Sequence, residues 1–261
     1  MGSGWSAPPF CLSFIAPADR EVIDCPNDCG LDGTMTYLFT PPEPVALPVN
    51  GTDRLFPVHR IYCVGRNYAA HAVEMGYDPE KSPPFFFQKN PDNLRLDGLF
   101  PYPAETSSVH HEIELVTALK LGGSNIPVDQ ALDHVLGYGV GIDMTRRDLQ
   151  DEAKKLSRPW EVSKAFEHSA PMSSLWLAED VGHPMTGAIW LDVNGDRRQE
   201  GDLAQMIWKV PEMIAYISRF FELRPGDLIF SGTPSGVGPV ERGDVMRGGI
   251  AGLGEIECKV I

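Results

Sequence analysis

Two acidic segments constrain this chain more than any other feature of its sequence. Residues 109–115 (VHHEIEL) alternate polar and apolar side chains, which predicts a single short β-strand. This alternation places Glu112 and Glu114 on one face of the strand and the apolar residues on the other. Residues 141–148 (GIDMTRRD) form the second acidic segment, in which a glycine-spaced apolar run ends at Asp143. The sequence therefore supplies two carboxylates on one strand face, and Asp143, at the end of a second apolar run, could supply a third.

Two interpretations of these carboxylates are open at this point. Half-exposed strands often alternate in this way, so Glu112 and Glu114 could form the solvated face of an edge strand. Buried carboxylates that share one face instead repel each other unless a cation or protons lie between them. With Asp143 they offer three hard oxygen donors, which suit octahedral Mg²⁺ or Mn²⁺. Spacing alone does not decide between the two.

Length and charge limit the class of protein and its partners. The 261 residues are enough for one large domain or two small ones, and 43% of them are hydrophobic. The net charge is −14, from 22 basic and 36 acidic side chains. This balance argues against nucleic acid and anionic membranes as general partners. An anionic substrate would need a local positive site, formed by a metal ion or by a few basic residues.

The N-terminal part differs from the rest of the chain. Residues 1–34 contain three of the five cysteines and show no sustained periodicity. We expect them to contribute little to the fold, either as a disordered N-terminal extension or as a non-native segment from a misassigned start site. Residues 35–261 are expected to form the catalytic domain. No apolar run approaches the roughly 20 residues of a membrane span, and the N-terminus lacks the pattern of a secretory signal. Cys63 and Cys258 lie in apolar runs that indicate buried, reduced thiols, so we expect a cytoplasmic protein.

Ionisable residues also recur on predicted helices. In a short helix predicted after Gly65, His71 and Glu74 lie three residues apart and share a face. Such a pair can be a general base with its orienting carboxylate, or a surface pair of little energetic value. A second helix, predicted over residues 146–156, places Arg147 and Gln150 on one face with Lys154 close to the same stripe. A solvated charged face is the alternative there.

Three further segments complete the pattern. Lys164 lies in an apolar neighbourhood, where it can bind an anion or extend to water. Residues 188–199 predict a β-hairpin with Asn-Gly in its turn. Residues 232–238 (GTPSGVG) form a glycine-rich loop whose backbone N–H groups could cradle an anion. This loop lacks the lysine and the following helix of a P-loop, so nucleotide binding is not expected.

Taken together, these segments resemble the fumarylacetoacetate hydrolase superfamily over residues 55–261. The segments that carry the resemblance are residues 64–71 with Glu74, 111–114, 141–148, 164–166, 193–195 and 232–234. Within the superfamily, residues 83–89 (PPFFFQK) and 62–76 are most similar to fumarylpyruvate hydrolases of aromatic (gentisate) breakdown.

The resemblance implies a fold and a site. The implied fold is α+β and β-dominated, a mixed β-sandwich roll with flanking helices, which usually assembles as a homodimer. It makes Glu112, Glu114 and Asp143 the ligands of Mg²⁺ or Mn²⁺. It also makes His71 and Glu74 the pair that activates water. Substrate contacts are then expected from Lys164, which would also be catalytic, and from Arg147, Gln150 and Thr233.

The resemblance also implies a reaction. The expected activity is hydrolysis of a carbon–carbon bond in a small anionic 2,4-diketo acid, such as 3-fumarylpyruvate giving fumarate and pyruvate. Oxaloacetate-type decarboxylation or hydroxymuconate-type isomerisation on the same scaffold is the alternative. A non-catalytic binding protein with a structural ion is a third reading, which the His71–Glu74 pair disfavours.

Overall fold

The computed structural model describes residues 37–70 and 83–261. The chain divides into two compact units, Met1–Glu43 and Pro44–Ile261. In the first unit, residues 37–43 form neither helix nor strand. All the helices and strands given below lie in the second unit. The boundary expected after residue 34 and the role expected for residues 1–34 stay predictions.

The second unit is dominated by strands. The strands are β1 (Ala46–Pro48), β2 (Leu55–Pro57), β3 (Ile61–Gly65), β4 (Phe85–Lys89), β5 (Leu94–Arg95), β6 (Leu99–Phe100), β7 (Val109–His111), β8 (Ile113–Leu119), β9 (Val135–Ile142), β10 (Thr145–Arg146), β11 (Ala170–Pro171), β12 (Trp176–Leu177), β13 (Ala188–Val193), β14 (Asp196–Asp202), β15 (Leu228–Phe230), β16 (Gly238–Val240), β17 (Val245–Ile250) and β18 (Gly254–Val260). The α-helices are α1 (Arg147–Lys155), α2 (Glu161–Lys164), α3 (Ala178–Val181) and α4 (Val210–Ile217). Short 3₁₀ helices cover Pro91–Asn93, Val128–His134 and Leu203–Gln205. The expected β-dominated α+β fold is confirmed.

Two mixed sheets carry most of the architecture. The six-stranded sheet has the order β12-β9-β8-β15-β3-β4, and the five-stranded sheet has the order β14-β13-β17-β18-β6. Strands β8 and β9 contact β13, β17 and β18, so the two sheets pack against each other. The approach is close: a Cβ on Gly248 would lie 2.8 Å from Cδ1 of Ile113. A third sheet has three strands in the order β10-β7-β16, and its strand β7 carries the start of the acidic segment.

The six-stranded sheet is covered by apolar side chains on both faces. One hydrophobic cluster includes Ile113 and Leu115 together with residues of the five-stranded sheet, such as Leu191. A second cluster contains Val116 and Phe230 with residues of β1 and β2. Every residue of β8 is consequently buried. A carboxylate on this strand cannot lie on a solvated face, which removes the first interpretation of Glu114.

The acidic segment is not the single strand that alternation predicts. Strand β7 ends at His111 and pairs with β10 and β16, whereas β8 begins at Ile113 and pairs with β9 and β15. Glu112 is the junction between the two sheets. The prediction failed here because each half of the segment finds a different hydrogen-bonding partner, which periodicity along one strand does not reveal.

Three local predictions agree with the structure. Strands β13 and β14 form the expected hairpin, and Asn194 and Gly195 adopt φ values of 54° and 86°, as a type I′ turn requires. The helix predicted over residues 146–156 is α1. Cys63 and Cys258 are free and buried, as expected. Within the described ranges no helix is both long and apolar enough to span a membrane.

Candidate metal centre

The backbone brings the three acidic residues together at the end of the six-stranded sheet. Glu114 lies opposite Gly141 in the antiparallel pairing of β8 with β9. Asp143 follows the end of β9, and its backbone N–H donates to the carbonyl of Glu112 over 2.8 Å. This bond holds Asp143, the residue after β9, against Glu112, the residue before β8. Two strand ends therefore determine the positions of all three carboxylates.

The three carboxylates fit a divalent metal ion. One carboxylate oxygen from each of Glu112, Glu114 and Asp143 lies within 4.8 Å of the others. The three residues are 6%, 2% and 0% exposed. Three hard anionic oxygens with no sulfur or imidazole among them are the donor set that Mg²⁺ and Mn²⁺ prefer. The chain thus contains a buried Glu–Glu–Asp group able to bind such an ion.

Burial gives Glu114 an unusual protonation equilibrium. Its Oε2 accepts a hydrogen bond of 2.7 Å from the backbone N–H of Gly232. Burial raises the pKa of this carboxyl well above its ordinary value, and the negative charges of Asp143 and Glu112 raise it further. The attraction of Lys164 and the Gly232 N–H oppose the shift without cancelling it. A metal ion at this position therefore competes with a proton.

Lys164 lies among the carboxylates rather than extending to water. Its Nζ is 2.8 Å from Oε2 of Glu112 and 2.7 Å from both Oδ2 of Asp143 and Oγ1 of Thr145. Burial disfavours the ammonium form, but the attraction of Asp143 and Glu112 is stronger, so the pKa of Lys164 is raised. The lysine is consequently a fixed positive charge beside the candidate metal ligands.

Arg147 and Gln150 adopt the shared face that their spacing predicts. Arg147 begins α1 and donates through Nη2 to Oε1 of Glu112. Its Nη1 donates to Oε1 of Gln150 over 2.6 Å. Both side chains are buried and line the same pocket as the three acids. Sequence reasoning left a solvated face open for these residues, and the structure excludes it.

The glycine-rich loop closes the same pocket. Gly232 has φ of 88°, and a Cβ there would lie 2.8 Å from Cβ of Asn67, so both the backbone conformation and the packing require glycine. The Thr233 hydroxyl donates to the carbonyl of Ile113 and accepts from the side chain of Gln199, each over 2.8 Å. The hydroxyl of Thr233 is therefore used to hold the loop against β8.

Lys89 and Gln199 are important residues that the sequence did not reveal. The Lys89 Nζ lies 2.9 Å from Oδ1 of Asp143 and bonds the carbonyl of Lys164 and Oγ of Ser169. The contact with Oδ1 is an ion pair without hydrogen-bond alignment, which leaves this buried oxygen able to take a further ligand. Gln199 accepts from the backbone N–H of Ile113 and bonds Nδ1 of His111. Lys89 ends strand β4 and Gln199 lies in the middle of β14, and no local pattern distinguishes either of them from its neighbours.

The predicted water-activating pair lies outside the described residues. His71 and Glu74 both fall within residues 71–82, so their placement stays a prediction. The segment that leads to them is held in place by Asn67, whose side chain bonds the carbonyl of Ser231 and both backbone groups of Trp208. Asn67 is fully buried. The start of this segment is therefore fixed next to the glycine-rich loop.

Known proteins are similar to this chain in fold and in sequence. Residues 60–261 match the family described as fumarylacetoacetate (FAA) hydrolase, C-terminal. A solved fumarylpyruvate hydrolase from Pseudomonas aeruginosa, in complex with Mn²⁺ and pyruvate, is 54% identical, with a TM-score of 0.85 over 87% of this chain and 99% of that one. Two mitochondrial relatives are oxaloacetate enzymes. A tautomerase from Arabidopsis thaliana is 41% identical over 201 residues, and a decarboxylase from Dictyostelium discoideum is 43% identical over 196 residues. They cover 77% and 74% of this chain and 90% and 89% of their own lengths.

Metal binding is expected to depend on pH through Glu114. Because the pKa of this carboxyl is raised, Mn²⁺ must displace a proton below that pKa, and its apparent affinity should fall by up to about tenfold per pH unit. Titration calorimetry in two buffers of different ionisation enthalpy measures both the affinity and the protons released. Glu114→Gln should bind Mn²⁺ more weakly and without this pH dependence, whereas the exposed Glu257→Gln should behave as wild type. Equal pH profiles for wild type and Glu114→Gln would contradict the assignment.

Lys89 is expected to stabilise the metal-free site. Lys89→Met leaves the buried Asp143 short of one positive charge, which should lower the free energy of unfolding by about 3–5 kcal/mol. Saturating Mn²⁺ should recover part of the loss, because the ion supplies positive charge at the same carboxylates. Urea unfolding with and without Mn²⁺ measures both effects, and the exposed Lys259→Met is the control. A loss that Mn²⁺ leaves unchanged would mean that Lys89 acts only through packing.

Proposed function

Because this chain belongs to the fumarylacetoacetate hydrolase family, we propose that it is a metal-dependent hydrolase of 2,4-diketo acids. The proposed reaction is cleavage of 3-fumarylpyruvate to fumarate and pyruvate. The observation that carries the proposal is the buried cluster of Glu112, Glu114 and Asp143 with Lys164 and Arg147 in direct contact. The likeness to a fumarylpyruvate hydrolase that holds Mn²⁺ and pyruvate supports it.

The charges of the cluster favour a doubly negative ligand. Lys89, Lys164 and Arg147 provide three positive charges against the three carboxylates. A divalent ion adds two more, and buried charge is costly unless it is balanced. The enolate of pyruvate, with its carboxylate, carries two negative charges. The two negative charges of the pyruvate enolate, the leaving group when an acylpyruvate is cleaved, would therefore balance the two positive charges of the metal ion.

Each residue of the cluster receives a role in this proposal. Mg²⁺ or Mn²⁺ held by Glu112, Glu114 and Asp143 would supply a Lewis acid for the oxo-acid end of the substrate. Arg147 and Gln150 would bind the carboxylate and oxo oxygens of that end. Thr233 would contribute through the backbone of its loop, since its hydroxyl is already bonded to Ile113 and Gln199.

The proton transfers are proposed to belong to His71 and Glu74. His71, oriented by Glu74, would take a proton from water as the water oxygen attacks the C4 carbonyl of the substrate. Lys164 would stabilise the oxyanion that forms there. The C3–C4 bond then breaks with pyruvate enolate as the leaving group, and the acyl carbon, which keeps the oxygen from water, becomes a carboxylic acid. C3 of the enolate then takes up a proton. Water is consumed and no oxidant or reductant is needed.

The oxaloacetate enzymes among the relatives support a second candidate activity. Tautomerisation or decarboxylation of oxaloacetate uses the same oxo-acid end but requires no attack by water on a distal carbonyl. The Arabidopsis and Dictyostelium relatives carry these activities in their names. The hydroxymuconate-type isomerisation that the sequence also suggested differs from hydrolysis in the same way. These activities are separated from hydrolysis by their products.

The cytoplasmic location and the homodimer also stay predictions. The relatives named above include mitochondrial proteins, so the compartment does not follow from the family. Neither prediction affects the roles given to the residues of the cluster.

A substrate panel tests the proposed function. We expect pyruvate release from fumarylpyruvate and acetylpyruvate with Mn²⁺ or Mg²⁺, and slower or no CO₂ release and enol–keto conversion with oxaloacetate. EDTA should abolish the activity, and added Mg²⁺ should restore it, which a binding protein with a structural ion would not show. Turnover of oxaloacetate alone would replace hydrolysis with the second candidate.

His71 is expected to be essential for turnover but not for metal binding. His71→Ala should lower kcat for fumarylpyruvate by about 10²–10⁴-fold, because the general base is lost. Its Mn²⁺ affinity, measured by calorimetry, should match that of wild type. The matched control is His134→Ala, on the 3₁₀ helix Val128–His134, which should retain wild-type kcat. Near-normal turnover of His71→Ala would remove this histidine from the mechanism.

A further inference from the structure

The candidate pocket extends beyond the metal centre along helix α1. Arg147, Gln150 and Lys154 are spaced by three and four residues, so they lie on one face of the helix, and all three line the same pocket. Arg147 contacts Glu112, at the metal end. Lys154 lies seven residues further, which is roughly 10 Å along the helix axis. One helix therefore provides a positive charge at each end of the pocket.

An aromatic wall joins the two ends. The ring of Phe87 lies 5.1 Å from Nζ of Lys164, and Trp160 is 5.8 Å from Phe87 and edge-on to Phe85 at 4.9 Å. The Nζ of Lys154 lies 5.6 Å from the Trp160 ring. The Phe85 ring packs directly over Gly65, where a Cβ would lie 2.1 Å from the ring. The rings are tilted against one another and together form an apolar surface between two lysines.

Lys154 is a poorly hydrated cation with a weak partner. Its side chain is 19% exposed, and burial lowers its pKa from the ordinary value of a lysine. Its ion pair with Asp151 spans 3.3 Å, and the Asp151 side chain is half exposed. Pairs of this kind are worth little in water. A carboxylate that enters the pocket would thus be a better partner for Lys154 than the one it has.

We propose that Lys154, seated on Trp160, binds a second carboxylate at the far end of the substrate and selects planar, unsaturated dicarboxylic acylpyruvates. This inference rests on the proposed function and names the residue that recognises the distal carboxylate of the acyl group. The conjugated middle of such an acid would lie against the aromatic wall, where flat π-systems stack favourably. Arg66, whose guanidinium lies 5.2 Å from the Phe85 ring, adds positive charge beside the same wall.

The length of the ligand supports this class. A seven-carbon diacid such as fumarylpyruvate extends roughly 7 Å between its end carbons, since three backbone bonds span about 3.3–3.6 Å. Two long side chains that start roughly 10 Å apart can grip both ends of such a molecule. The four carbons of oxaloacetate span only about half that length. Oxaloacetate held at the metal end would not reach Lys154.

The test compares two substrates that differ only at the far end. In 2,4-dioxohept-5-enoate (crotonylpyruvate), a methyl group replaces the distal carboxylate of fumarylpyruvate. Lys154→Met should lower kcat/KM for fumarylpyruvate about 10- to 100-fold, chiefly through KM, and leave crotonylpyruvate within about twofold. Lys154→Arg should keep most of the preference for fumarylpyruvate. The control Lys155→Met removes the adjacent, exposed lysine of the same helix and should leave both substrates unchanged.

The outcomes separate this inference from the function on which it rests. Equal losses on both substrates, or no loss on either, would overturn the role of Lys154 while hydrolysis of acylpyruvates stands. A loss with Lys154→Met that Lys154→Arg also shows in full would assign the effect to shape rather than to charge, and would overturn the proposal as well. Wild-type protein that hydrolyses neither substrate would overturn both the proposed function and the inference.

Discussion

Burial of three carboxylates within 4.8 Å of one another is the constraint on which the rest of this structure depends. Such a cluster is unfavourable by itself, because each charge is removed from water and repelled by the others. The chain compensates with three buried cations, Lys89, Lys164 and Arg147, each placed by a different element. Strand β4, helix α2 and helix α1 therefore converge on one sheet end. The fold around the site is organised by this need for opposite charge.

The same balance explains how a strongly acidic protein can receive an anionic substrate. The overall charge of −14 repels a dianion at long range, but this field is screened within about 10 Å at ordinary salt. Inside the pocket, buried pairs are screened far less. With three acids already matched by three cations, a bound divalent ion leaves an excess of positive charge at the place where a dianion would bind. Local pairing, rather than net charge, governs recognition.

The sequence was sufficient for much of the site but not for its supporting residues. The spacing of Glu112, Glu114 and Asp143 marked them as candidates, and only the resemblance to the family made them metal ligands. Arg147 and Gln150 could be placed together because helical spacing puts them on one face. The break at Glu112 was missed, since pairing partners from distant strands decide where β7 ends and β8 begins. Lys89 and Gln199 were missed for a similar reason. Their roles come from contacts 54 and 86 residues away in the chain, with Asp143 and Ile113, and no local pattern records such contacts.

In the function and the inference proposed above, the two ends of the pocket meet different parts of a substrate. The metal end, with its acids and cations, handles the oxo-acid group that acylpyruvates and oxaloacetate have in common. The far end, with Phe85, Trp160 and Lys154, meets only those substrates that are long enough to reach it. Hydrolysis additionally requires water to attack a carbonyl beyond the metal end, so length and reaction type are linked. By binding the far end of long substrates, Lys154 would favour substrates that can be hydrolysed over shorter ones that can only rearrange.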